Sequence, residues 1–99
     1  MNLNFKKWIE DNKKNLYEKN IVVKNIVTSG EKSNDPSTRA DFFSAKYLGC
    51  VTVWKSGSID IEVLDIEKIS TVFFDSGMLN IGTNFYSFLE GFFNKLLSK

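Results

Sequence analysis

The sequence predicts an α+β two-layer domain. It should have an N-terminal helix, a four- to five-stranded mainly antiparallel sheet, and a C-terminal amphipathic helix packed on the sheet. Three observations carry this. Apolar residues near both ends recur at helical spacing, and the middle of the chain is β-branched and alternating. The links between the central strand-like runs are also too short for parallel crossovers. At 99 residues, with 42% hydrophobic and 25% charged residues, the chain is expected to form one domain, 1–99, around one core.

Residues 4–18 read as the first helix. Phe5, Trp8, Ile9 and Leu16 share a stripe of about 100°, while Lys6, Lys7, Glu10, Asp11, Lys13 and Lys14 lie outside it. Trp8 is expected as a core anchor, and Asn20 marks the C-cap region. Residues 21–28 are β-branched and predict a strand. The run 29–37 collects the breakers, including the single proline, and reads as a loop within the domain. Residues 38–44 form a second strand with weak alternation.

The clearest local signal lies at 47–63. Two strand-like runs flank Ser56-Gly57, which predicts a β-hairpin with a two-residue turn. That turn sets Trp54 opposite Ile59 and Thr52 opposite Ile61. Leu48, Cys50, Thr52, Trp54, Ile59, Ile61 and Val63 then share the core face. Tyr47, Val51, Val53, Asp60 and Glu62 share the other. A bulge or bend near 63–64 accounts for the change of phase there. Residues 69–74 predict another strand, reached through a tight turn near 65–68, ended by Asp75-Ser76-Gly77 and followed by a short connector at 78–82.

Residues 84–98 predict one continuous helix, capped by Thr83 or Asn84. Phe85, Tyr86, Phe88, Leu89, Phe92, Phe93, Leu96 and Leu97 fill one half of its wheel. Such a wide apolar arc should lie flat on a sheet and also touch the first helix.

Composition narrows the chemistry. The chain has no histidine and one cysteine, Cys50, which is expected in the core as a small hydrophobe. Catalytic, metal and cofactor residues are therefore expected to be none, and the protein is read as no enzyme. Net charge is +1, with nine basic and six acidic groups in 1–49 and four basic and six acidic in 50–99. That balance makes a nucleic-acid partner unlikely on charge alone. The longest apolar runs are too short for a secretory signal or a membrane span, so a cytoplasmic protein without a membrane partner is expected. The local charge feature is acidic: Asp60, Glu62, Asp65 and Glu67. It reads either as solvated surface or as a contact surface for a basic partner.

The opening Phe5-x-x-Trp8-Ile9 helix and the aromatic C-terminal helix flank the run Tyr47-Leu48-Gly49-x-Val51-Thr52-Val53-Trp54-x-Ser56-Gly57-x-x-Asp60-x-Glu62-Val63-Leu64-Asp65. Together they resemble the TriTu family of bacterial immunity proteins, small proteins of polymorphic toxin and contact-dependent inhibition systems. The resemblance implies stoichiometric inhibition of a cognate toxin C-terminal domain, commonly a nuclease. The partner-binding residues expected for such an antitoxin are Tyr47, Val51, Val53, Asp60, Glu62, Asp65 and Glu67. Two binding alternatives stay open at this point. One is a small nucleic-acid-binding module using Tyr47, Lys46 and Lys55. The other is a homodimeric scaffold closed through a sheet edge or the Phe-rich helix. A small histidine-free nuclease is the enzymatic alternative.

Overall fold

A computed structural model describes residues 1–80 and 82–98. Ile81, in the expected connector, lies outside the described residues. The elements follow in the order α1 (Asn2–Glu18), β1 (Val22–Ser29), β2 (Ser37–Phe43), β3 (Tyr47–Trp54), β4 (Ser58–Asp65), β5 (Ser70–Met78), α2 (Phe85–Phe88) and α3 (Glu90–Leu96). The five strands form one sheet in sequence order, each antiparallel to the next. The α+β architecture is the expected one, with all five strands present.

α1 buries Phe5, Ile9 and Leu16, the predicted stripe. Its end is a left-handed cap: Asn20 takes φ 69°, the Ile21 N–H donates to the Leu16 carbonyl at 2.9 Å, and the Asn20 N–H donates to Tyr17 at 3.0 Å. Buried Ile21 and Leu16 supply the apolar contact that accompanies this motif. Trp8 is half-buried rather than a full anchor. Its ring lies 5.9 Å from Phe85 and 6.1 Å from Phe93, joining the N-terminal and C-terminal helices in one layer.

That layer covers one face of the sheet. α1 crosses β1, β2 and β3, and α3 crosses β3 and β4. The core between them holds Val23, Ala40, Phe42, Val51, Val53, Ile59, Ile61 and Val63 from the strands, and Phe5, Ile9, Leu89, Phe92 and Leu96 from the helices. The ring of Phe92 meets Phe42 edge-on at 5.3 Å.

Three expectations need correction. The β3–β4 hairpin pairs Val53 with Ile59 and Val51 with Ile61, one residue away from the expected register. Its loop is Lys55-Ser56-Gly57: the Gly57 N–H donates to the Trp54 carbonyl at 2.9 Å and Gly57 sits at φ 102°. A three-residue loop ending in a left-handed glycine replaces the two-residue turn. The faces of β3 are thereby exchanged. Tyr47, Val51 and Val53 point under the helices, and Leu48, Cys50, Thr52 and Trp54 lie on the other face. Cys50 is therefore not a core residue.

The last strand runs through Asp75-Ser76-Gly77 to Met78, because pairing with Ser58–Asp60 overrides the turn preference of that tripeptide. β4 keeps its alternation through 63–64, with Val63 buried and Leu64 on the open face, and the irregularity at this point is a bulge in the neighbouring β5. Val63 pairs with Phe73 and Leu64 with Thr71, leaving Val72 as the extra residue.

The C-terminal helix is interrupted at Leu89, giving two short helices in place of one. Asn84 is the N-cap, its side-chain oxygen accepting from the Ser87 N–H at 3.1 Å. The buried stripe is narrower than the apolar half of the wheel, and Tyr86, Phe88 and Leu97 remain exposed. No described helix is long and apolar enough to cross a membrane.

Candidate functional site

The helices lie on a single face of the sheet, so the opposite face is open. Register defines its residues row by row. One row runs Lys24, Asp41, Cys50, Glu62, Phe74 from β1 to β5, and the next runs Val27, Arg39, Thr52, Asp60, Ser76. A third row, Val22, Phe43, Leu48, Leu64, Thr71, is largely apolar. β2, β3 and β4 alternate between core and open face by the period-2 rule, and the irregularities in β1 and β5 reset the phase of those two strands.

The charge on this face is graded. Lys24 and Arg39 stand toward β1, and Asp60 and Glu62 stand on β4. Asp41 is already engaged. It accepts from Asn25 at 2.9 Å, from Arg39 at 3.4 Å, and from the Cys50 thiol at 3.3 Å. Burial pushes the Cys50 thiol up, its hydrogen bond to Asp41 adds to this, and Arg39 opposes it. The sulfur is consequently a neutral thiol at neutral pH, held between a carboxylate and a guanidinium. Asp60 and Glu62 make no ion pair within 4.0 Å among the described residues. Standing two apart on one strand, their Cβ atoms share a face with a spacing of about 7 Å.

The sequence-predicted site residues do not all come together. Asp60 and Glu62 share the open face. Asp65 and Glu67 lie at the sheet's end, where the Asp65 carboxylate accepts the Lys68 N–H at 2.9 Å and shapes the β4–β5 turn. Tyr47, Val51 and Val53 are separated from the carboxylates by the thickness of the sheet. Val51 and Val53 are 0% exposed and Tyr47 is 7%. The Lys95 Nζ sits 5.3 Å from the centre of the Tyr47 ring, which fixes that ring under α3. A surface formed by the folded protein excludes these three.

Sequence reasoning missed Phe74 and Met78, which are 63% and 60% exposed. Trp54 belongs to the same face, half-buried. The signal was present in the alternation Phe74, Ser76, Met78, but Asp75-Ser76-Gly77 masked it as a stop.

The open face therefore combines an apolar row, Lys24 and Arg39 toward β1, two carboxylates without an ion-pair partner among the described residues, and an exposed aromatic edge. An arrangement of this kind is suited to binding a protein surface. A family model described as Immunity protein TriTu matches residues 4–95, almost the full length. The chain belongs to the TriTu family of immunity proteins, and a toxin protein is the partner this membership implies. No curated protein sequence matches it.

Proposed function

We propose that this chain is an antitoxin that neutralises a cognate toxin domain, a nuclease, by one-to-one occupation through its open sheet face. It makes and breaks no covalent bonds. It acts in the cytoplasm, where a toxin delivered by a contact-dependent inhibition system would meet its substrate. The observation that carries this reading is the pair of exposed Asp60 and half-buried Glu62, on a face no helix covers and without ion-pair partners among the described residues. A nuclease presents basic groups to its substrate, and two free carboxylates beside an apolar row complement such a surface.

The nucleic-acid reading is less well supported. It required Tyr47 as a stacking platform, and Tyr47 is under α3. The test is co-expression with the toxin domain encoded beside this gene, followed by titration of the purified proteins. Restored growth and nuclease activity that reaches zero at a molar ratio of about one support the reading. Continued killing, or inhibition that needs only trace antitoxin and consumes toxin catalytically, overturns it.

A further inference from the structure

The two edges of the sheet are guarded differently. β1 carries Lys24 and an irregularity between Lys24 and Val27, with Asn25 at φ 57°. A lysine and a bulge are two of the devices that stop an edge from pairing. β5 has no lysine and no proline, and its one bulge is confined to Val72 near the turn. From Phe73 to Met78 it continues without a bulge, and no further strand pairs with it among the described residues.

The direction of its backbone groups follows from one bond. The Leu79 N–H donates to the Gly57 carbonyl at 2.7 Å, so 57/79 is a hydrogen-bonded pair. Alternation then makes 58/78, 60/76 and 62/74 the pairs whose N–H and C=O groups point away from each other. Phe74, Ser76 and Met78 therefore turn theirs outward. The Ser76 N–H, accordingly, is taken by its neighbour's Asp75 carboxylate at 2.9 Å instead of by β4.

The flanks of this edge are apolar and acidic. Phe74 and Met78 stand on the open face, and exposed Phe88 lies on the helix side against Gly77. Ser76 is small and lies directly between the edge and Asp60. A long basic side chain placed opposite Ser76 can pass over it to Asp60.

We infer that β5 is the docking strand, and that the partner adds to it an extended segment alternating basic and apolar side chains. This inference rests on the antitoxin reading and assigns its contact. A second copy of this chain fits the same edge badly. Between Ser58 and Met78 the chain carries Asp60, Glu62, Asp65, Glu67 and Asp75 against Lys68, so a β5–β5 dimer would set like charge against like.

The test uses the native chain and the toxin domain encoded beside its gene. Amide hydrogen exchange is read at Phe74 and Met78, free and in complex. Both amides gain protection on binding, while those of β1 do not. In parallel, Ser76→Pro removes the outward N–H, which Asp75 holds in the free chain and gives up to the partner on docking, without touching the β4 ladder, and Asp60→Lys reverses the charge behind it. Each weakens binding by about tenfold or more, and Lys13→Glu, exposed on α1 on the other side of the sheet, does not. Native binding with unchanged exchange at Phe74 and Met78 overturns this assignment and leaves the antitoxin reading standing. A native chain that fails to bind the toxin removes both. A native dimer that Ser76→Pro dissociates would assign the edge to self-association instead.

Discussion

The ring tip of Phe92 occupies the space where a β-carbon on Gly49 would stand. Such an atom would lie 2.4 Å from Phe92 Cζ and 2.5 Å from Cε1. Gly49 is in the middle of β3 on the core face, opposite Val63, and Phe92 is 1% exposed. The absent side chain lets α3 settle onto the sheet, with Leu96 close by. Gly49→Ala should therefore overpack the core and cost about 1–3 kcal/mol. Thermal unfolding followed by circular dichroism should show the midpoint falling by roughly 4–8 °C for each kcal/mol lost.

The register of the hairpin is tested by neighbours on one strand. Val51 is fully buried and Thr52, beside it, faces the open side. Val51→Ala removes two methyl groups from the core and should cost about 2 kcal/mol or slightly more. Thr52→Ala should stay within about 0.5 kcal/mol. Urea denaturation of both variants checks this, and the opposite ranking would restore the two-residue turn.

Asp35 ties two loops together. Its carboxylate accepts the Ser56 N–H at 2.8 Å and the Ser56 hydroxyl at 2.9 Å, joining the β1–β2 loop to the β3–β4 turn. Asp35→Ala should lower stability by about 1 kcal/mol, since both bonds are solvent-exposed. Its local effect should be larger, with faster amide exchange at Ser56 measured by NMR.

Cys50 gives a pH prediction. Its thiol is raised in the folded protein by burial first and by Asp41 next. A raised folded value favours the neutral thiol, so this contribution is complete below the pKa of an unfolded cysteine. It is lost as pH rises through the folded value. The stability difference between the native protein and Cys50→Ala should be constant from pH 6 to about 8 and should shrink in alkali. Alkylation by iodoacetamide at pH 8 should be slower than for a free cysteine and should accelerate in urea.

Asp60 and Glu62 should act on the rate of encounter. Replacing both with lysine should slow association with the toxin domain and remove most of its salt dependence, with the fold unchanged. Stopped-flow binding at two ionic strengths measures it. An unaltered association rate would take these carboxylates out of the contact.

Much of the architecture is legible in the chain. The Phe5, Ile9, Leu16 stripe, the first four strand runs and the Asn84 cap sit where local patterns put them, while the fifth strand runs past its expected stop. The failure at β3 has a physical cause. Both of its faces are largely apolar, Tyr47, Val51 and Val53 on one and Leu48, Cys50 and Trp54 on the other, so periodicity could not rank them. Turn length alone decided between them, and a three-residue loop reads much like a two-residue one when both contain Ser56-Gly57. Of the candidate contact residues, Asp60 and Glu62 kept the open face because β4 alternates strongly. The rest moved with the register or lay beyond it. Leu89 shows the other limit, since an apolar wheel reports which side is buried but not where the helix bends.

The sheet follows chain order from first strand to last, with every strand beside its immediate successor. Each hairpin can thus zip onto the one before it with short loop closures, and no strand must wait for a distant mate. The long closures are made by the helices, α1 meeting the C-terminal end where Phe5 and Trp8 reach Phe85 and Lys19 reaches Tyr86, and Phe92 meeting Phe42 of β2. A chain stopped before Phe85 would leave that aromatic seam, and the roof of the core, unmade.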